Sequence, residues 1–315
     1  MVQINAGFED IPEIRFIAID LDGTLLDDEK KIDNSIRNKI MKMSDEGYFF
    51  ILISGRHNRD ILSYFKYLKL TNENALIISS DGQYIYDKEI TTFPFLNADD
   101  LYRIMSVFSD SCSAVVTSVA DYYFNNRSFI LNFIRNIIKH IFCRQEIVTL
   151  NRNDTCRIKG SIEKIIIKGK HPRESQNDDR FRGKNSRSGK ITCDLYQRQQ
   201  EVLTRYSWHF CDSERVEIKQ KGVCKWEALR KFMLDNRIGK ENLAYLGDDD
   251  NDIECFENLT NTYAVMNAST KIRKAAKHIV PSNNEKGALT ALELIGRENM
   301  DIKNSVGIYR KFVGG

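Results

Sequence analysis

The stretch Arg15-Phe16-Ile17-Ala18-Ile19-Asp20-Leu21-Asp22-Gly23-Thr24-Leu25 decides the architecture of this chain. Arg15 to Leu21 reads as a buried strand, because a short, nearly unbroken apolar run fits a strand covered on both faces. The strand ends on two carboxylates, Asp20 and Asp22, spaced i, i+2, and Gly23 allows a sharp exit. In open α/β sheets ligands bind outside the carboxyl ends of the strands, and carboxylates at this spacing can both project into that crevice. One can form an acyl phosphate as nucleophile; the other can protonate a leaving oxygen and then deprotonate water. Asp-x-Asp-Gly also occurs in turns and calcium loops, but the further ligands and closing Glu of a calcium loop are not at the required spacing.

Working outward, Asp33 or Asn34 can cap a helix whose apolar face is Ile36, Ile40 and Met43, closed by Gly47. Tyr48 to Ile53 is a second strand, a helical pattern follows at Ile61, Phe65 and Leu68, and Ala75 to Ser79 is a third strand. Asp81-Gly82 reads as a tight turn into Gln83 to Tyr86. The same grammar returns far downstream, with a helix at Trp226 to Leu234, a strand at Leu243 to Leu246, a helix around Ile253, Phe256 and Leu259, and a strand at Tyr263 to Met266. Two distant halves are expected to build one doubly wound parallel sheet, so the fold class is α/β.

Between the halves the pattern is less regular: a mixed helical stretch near Leu101 to Phe108 and strand-like runs at Ile162 to Ile167 and Ser207 to Phe210. An inserted second domain over residues 96–217 is expected, within a core of 1–95 and 218–315. The net charge of +3 over 315 residues does not suggest a polyanion binder, and the segment Lys170 to Lys190 accounts for it. That segment carries seven Lys/Arg against three Asp/Glu, a local +4 whose removal leaves −1, so it reads as a solvated loop. With 42% hydrophobic residues the chain is an ordinary globular one.

Three further segments carry chemistry. Ser54-Gly55-Arg56 follows the second strand, where a hydroxyl and backbone N–H groups suit a phosphate, although serine is also an ordinary helix cap. Gly222-Val223-Cys224-Lys225 opens a helix, and its lysine either neutralises phosphate oxygens or is simply solvated. Gly247-Asp248-Asp249-Asp250-Asn251-Asp252 follows a strand and holds four carboxylates in five residues, a set that repels itself unless a cation or caps neutralise it; hard oxygen ligands suit Mg²⁺. An acidic helix N-terminus explains Asp252 but not the whole cluster.

The order and strand context of these segments resemble the haloacid dehalogenase superfamily, most closely its Cof-type, cap class IIB sugar-phosphate phosphatases. D-x-D-G-T-L matches Asp20 to Leu25, the Ser/Thr-Gly-Arg element Ser54 to Arg56, G-V-x-K Gly222 to Lys225, and G-D-x-x-N-D Gly247 to Asp252. Ser79 to Asp87 and Ser282 to Leu289 match more weakly; Asp81 stands where Asn is usual, and Trp226 replaces a small residue. The resemblance implies a Rossmann-like core with an inserted α/β cap, the cap lying over the strand ends to exclude water and choose the leaving group. It implies Asp20 as nucleophile, Asp22 as general acid/base, and Ser54 and Lys225 as phosphate ligands, with Gly55, Arg56 and Asn251 among the substrate contacts. Mg²⁺ would be held by Asp20, the main-chain carbonyl of Asp22, and Asp248; Asp252 belongs to the same acidic set and, with Asn251, orients the site. The implied activity is Mg²⁺-dependent hydrolysis of small phosphate monoesters, sugar phosphates above all, through an aspartyl phosphate on Asp20. A phosphomutase or phosphotransferase using the same intermediate, and a phosphometabolite-binding regulator with slow turnover, are the alternatives.

Seven cysteines without a C-x-x-C pair and with an odd count do not make a closed disulfide framework, which points to a reducing compartment. No apolar run approaches 18 residues and no secretory leader is apparent, so a soluble, cytoplasmic protein is expected, without nucleic-acid or membrane partners. The five histidines show no metal spacing, His209 with Cys211 reads as structural, and Tyr122 to Phe124 reads as core rather than a sugar platform.

Overall fold

A continuous apolar run needs cover on both sides, and β1 (Phe16–Asp20) has it: from Ile17 onward each residue is buried. The computed structural model describes residues 13–87, 89–108, 112–118, 120–124, 146–150, 158–168, 201–210 and 215–313. The stretch Lys170 to Lys190, His140, His171 and Cys211 lie outside the described residues, as do the side chains of Tyr123 and Phe124. By contact the chain divides into two units, Met1–Phe93 with Cys224–Gly315, and Pro94–Val223.

In the first unit α1 (Asn34–Asp45) and α2 (Asn58–Tyr67) alternate with β2 (Phe49–Ile53) and β3 (Ala75–Ser79), followed by the short strands β4 (Tyr84–Tyr86) and β5 (Ile90–Thr92). After the insertion come α4 (Lys225–Asp235), β12 (Leu243–Gly247), α5 (Ile253–Asn258), β13 (Asn261–Val265), α6 (Thr270–Ala275), β14 (His278–Val280) and α7 (Gly287–Val313). These strands form one eight-stranded sheet in the order β14-β13-β12-β1-β2-β3-β4-β5, parallel from β14 through β3 and antiparallel at β4 and β5. β13 begins at Asn261, two residues before the Tyr263 expected from its apolar run: Asn261 and Thr262 are polar but buried in the ladder, where Asn261 donates to the Glu241 carbonyl. The strand order reverses between β1 and β12, which makes that pair the topological switch point where an α/β sheet opens a crevice.

The helices follow the expected faces. Ile36, Ile40 and Met43 of α1 are buried, Asp33 caps its first turn by accepting from Ser35 N–H, and Gly47 closes it with φ +88°. Ile61 and Phe65 of α2 are buried against the same core. Asp81-Gly82 lies in a tight turn whose residues Ser80, Asp81 and Gly82 all have positive φ. A Cβ on Gly82 would sit 2.2 Å from the Cys224 carbonyl oxygen, so glycine there lets this turn approach the start of α4.

In the second unit, α3 (Ala98–Val107) carries a capping box from Asn97 and Asp100. Its sheet comprises β6 (Cys112–Thr117), β7 (Ala120–Phe124), β8 (Glu146–Leu150), β9 (Ile162–Lys168), β10 (Tyr206–Phe210) and β11 (Arg215–Gln220) in the order β10-β11-β9-β6-β7-β8. All described pairings are antiparallel except β7 with β8. Leu101, Ile104, Val115, Ile165 and Ile218 form its core, and Tyr122 is buried there with its hydroxyl accepting from Lys159 N–H, as a core residue does. The sequence boundary at 217/218 falls inside β11, because Glu217 and Lys219 interrupt the apolar run around Ile218; the units divide after Val223. Among the described residues no helix is long and apolar enough to cross a membrane.

The Asp33 cap gives a pH-dependent prediction. Hydrogen bonds from Ser35, then the Lys286 ammonium 3.1 Å away, hold the Asp33 carboxyl at about 2. A carboxyl lowered on folding adds stability that is full above its unfolded value near 4 and is lost as pH falls through 2. Asp33→Ala should therefore cost about 1 kcal/mol at pH 7, measured by urea denaturation. The difference from the parent should shrink between pH 4 and pH 2.

Candidate active site

The crevice at the switch point collects side chains from three strand ends. Asp20 is the last residue of β1 and pairs in register with Ile53, so Ser54 leaves β2 beside it; Ile19 pairs with Leu246, so Gly247-Asp248 leave β12 on the other side. The fourth segment arrives at the start of α4, where Cys224 caps the helix through its Sγ and Lys225 is the first helical residue.

Lys225 joins them. Its Nζ lies 2.6 Å from Oδ1 of Asp20 and 2.6 Å from Oδ1 of Asp252, and all three residues are buried. Burial opposes charge on Lys225, but Asp20 and Asp252 outweigh it and hold the ammonium firmly protonated. Burial pushes the Asp20 carboxyl well above the ordinary range; Lys225 opposes that, and Asp252 and Asp248 add to it. Asp248 is pushed to about 7 by burial and by Asp252, against a 2.9 Å hydrogen bond from Thr24 Oγ1. Gly23 makes room for it: its φ is +82°, and a Cβ there would meet Asp248 Oδ2 at 2.3 Å.

Asp252 works as the organiser of its loop. Its Oδ2 accepts from the backbone N–H of Asp248 at 2.9 Å and of Asp249 at 3.1 Å, while Oδ1 accepts from Lys225 Nζ and from the Tyr245 hydroxyl, each at 2.6 Å. Four donors match the acceptor capacity of one carboxylate. The acidic run is thus part loop cap, at Asp252, and part open carboxylate, at Asp248.

Asp22 stands differently. Arg56 grips both its oxygens, Nε to Oδ2 at 2.5 Å and a terminal nitrogen to Oδ1 at 2.6 Å, and Lys30 Nζ lies 2.7 Å from Oδ1. Partial burial raises its carboxyl, but Arg56 and Lys30 together outweigh burial and hold it at about 2. Arg56 therefore binds a carboxylate of the protein itself, backed by the Tyr64 ring 5.5 Å below it.

Ser54 is buried, and its Oγ accepts from Arg56 N–H at 3.2 Å, a turn that folds the loop back on itself. Gly55 lies against the Asp81 carboxylate, which a Cβ would meet at 2.9 Å. Asn251 donates 2.8 Å to Asp81 Oδ1, so the loop after β12 is tied to the turn after β3. That turn is also bonded to the serine loop, Ser80 N–H to the Arg56 carbonyl and Asp81 N–H to the Ser54 carbonyl. Sequence reasoning assigned no role to Tyr245, Thr24, Lys30 or Asn267, which donates 2.8 Å to the Gly23 carbonyl. Thr24 stood inside a quoted motif and Asp81 was marked by its departure from Asn; Tyr245 looked like one more apolar strand residue.

Asp20, Asp248 and Asp252 each bring an oxygen within 4.8 Å of one another. With the lone pairs of Asp252 engaged, Asp20 and Asp248 supply the hard oxygens that suit a divalent cation such as Mg²⁺, which would offset the negative charge that a single lysine leaves uncompensated.

A family model of haloacid dehalogenase-like hydrolases matches residues 17–292. The 5-amino-6-(5-phospho-D-ribitylamino)uracil phosphatase YitU of Bacillus subtilis is 22% identical over 280 residues, 88% of this chain and 96% of that protein. Among solved structures, the phosphatase BT1666 of Bacteroides thetaiotaomicron aligns with TM-score 0.71 and 18% identity, covering 93% of this chain and 99% of its own. The sugar phosphatase BT4131, of subclass IIB, aligns with TM-score 0.69 and 15% identity over 90% of this chain and 99% of its own. With the family model spanning most of the sequence and the acidic crevice at the switch point of its sheet, this chain belongs to the haloacid dehalogenase-like hydrolases.

Proposed function

We propose that this chain is a divalent-cation-dependent phosphatase hydrolysing small phosphate monoesters, sugar phosphates above all, through an aspartyl phosphate on Asp20. The observation that carries the reading is the buried Lys225 bridging Asp20 and Asp252 at the switch point. YitU, named for a phosphorylated ribityl compound, and BT4131, named a sugar phosphatase, support the substrate class.

Phosphoryl transfer needs in-line positioning and charge neutralisation. An Asp20 oxygen attacks phosphorus, the ester P–O bond breaks, and the leaving oxygen takes a proton from Asp22. Water then attacks the aspartyl phosphate and gives its proton to Asp22, releasing phosphate and regenerating Asp20. Lys225 neutralises Asp20 and the transferring phosphoryl oxygens; the Ser54 hydroxyl and the backbone N–H groups of its loop hold the other oxygens. Asp20, Asp248 and the Asp22 carbonyl are the groups suited to Mg²⁺, with Asp252, its lone pairs already engaged, orienting the loop. When bound, Mg²⁺ supplies further charge neutralisation at the phosphoryl group. Asp22 must leave Arg56 and Lys30 to carry a proton, since in that grip it stays ionised.

Asp20→Asn should reduce steady-state phosphate release by about a thousandfold or more with an unchanged circular dichroism spectrum. In ¹⁸O-labelled water the parent enzyme should release labelled inorganic phosphate from a hexose phosphate; isomerised hexose phosphate without labelled phosphate would overturn hydrolysis in favour of a mutase. Asp248→Ala should raise the Mg²⁺ concentration for half-maximal activity at least about tenfold, and full turnover in excess chelator would refute the cation requirement. Asp22→Asn should slow an alkyl phosphate by about 10²–10⁴-fold and p-nitrophenyl phosphate far less, because nitrophenolate leaves without a proton. Equal losses on both esters would remove Asp22 from acid catalysis.

A further inference from the structure

Tyr245 lies in the middle of β12 with no exposed surface, its ring edge-on to Phe256 at 5.6 Å between centroids. Phenylalanine would fill that space equally well, so the hydroxyl needs its own account. A phenol buried this deeply requires a partner, and it has one in the reaction crevice: Oδ1 of Asp252, 2.6 Å away. The same oxygen accepts from Lys225 Nζ, which is equally close to Oδ1 of Asp20.

We propose that Tyr245 is a positioning residue for the reaction, acting through Asp252 to seat Lys225 against Asp20; the inference rests on the phosphatase reading above. Lys225 is shared between two carboxylate oxygens, and what decides its seat is how much negative charge each oxygen presents. A second donor on Asp252 Oδ1 draws charge from that oxygen and restrains the carboxylate from rotating, while the two backbone N–H groups fix Oδ2. Without the phenol, Lys225 is the single donor on Oδ1, and the ammonium shifts toward Asp252. It then lies farther from the phosphoryl oxygens whose charge it neutralises during transfer. The loss belongs to the chemical step rather than to ester binding, which depends also on Ser54 and its loop.

The test is Tyr245→Phe, which deletes one oxygen atom, assayed beside the parent, Asp20→Asn and Leu292→Ala, a cavity variant of α7 on the core outside the acidic cluster. With an alkyl phosphate as substrate, Tyr245→Phe should lower kcat about tenfold while KM stays within about twofold. Leu292→Ala should lower Tm by more and leave kcat unchanged. A kcat for Tyr245→Phe equal to the parent's, or kcat losses in both variants that track their Tm losses, would overturn the role of Tyr245. If the parent releases no phosphate, or Asp20→Asn releases as much as the parent, it is the phosphatase reading that fails instead.

Discussion

Everything in the crevice depends on one buried cation. Lys225 is 1% exposed and is held between Asp20 and Asp252, partners 205 and 27 residues away in the chain. Removing one member of a buried ion pair costs about 3–5 kcal/mol, because it strands an uncompensated charge. Here the lysine faces two carboxylates with a third, Asp248, close by, so without it the acidic cluster would be held together against its own repulsion. The ion pairs are also a constraint on topology. They require α4 to start where the turn after β3 meets the acidic loop after β12, and Gly82 lets the Cys224 carbonyl come close enough for that.

The sheet explains why these groups meet. Parallel strands all end on the same side, and the reversal of order between β1 and β12 opens their two loops away from each other. Asp20, Asp248 and Ser54 thus reach one crevice from three neighbouring strands without any long excursion. The loops are then stitched laterally, Thr24 to Asp248, Asn251 to Asp81, Asn267 to the Gly23 carbonyl. Each of these bonds joins two different loops, so the site is rigid as a network although no single loop is regular.

Much of this was legible in the sequence for a physical reason: buried parallel strands are short apolar runs, and each run that mattered ended in a polar motif. Ile36, Ile40 and Met43 sit on the buried face of α1 as their spacing requires. The insertion was read less well. Strands β6, β7, β8 and β11 were not anticipated; in β11, which pairs antiparallel, charged and apolar residues alternate from Arg215 to Gln220, and such a run resembles a loop. In the site, residue types were legible but pairings were not. Arg56 could equally have faced substrate; that it grips Asp22 depends on the turn geometry of two loops 34 residues apart. Tyr245 was hidden by the rule that made β12 visible, since an aromatic in an apolar strand counts as core whether or not its hydroxyl has a partner.

The two carboxylates proposed for catalysis, Asp20 and Asp22, differ most in how firmly they are held, and the difference fits the roles proposed for them. Asp20 is buried, and any displacement breaks a desolvated ion pair with Lys225, at the cost given above. Asp22 keeps 39% of its side chain exposed, and its partners Arg56 and Lys30 keep 25% and 52%. Ion pairs at that exposure contribute about 0–1 kcal/mol, since solvent screens the charges and long side chains lose freedom in holding one geometry. The bidentate grip of Arg56 sets Asp22 toward the upper end of that range. Releasing Asp22 from Arg56 and Lys30 therefore costs far less than displacing Asp20 from Lys225. A nucleophile must be aligned before the substrate arrives, whereas a proton carrier must change partners within each turnover. In this molecule Asp20, the proposed nucleophile, is anchored in the core, and Asp22, the proposed proton carrier, is tied by bonds weak enough to exchange.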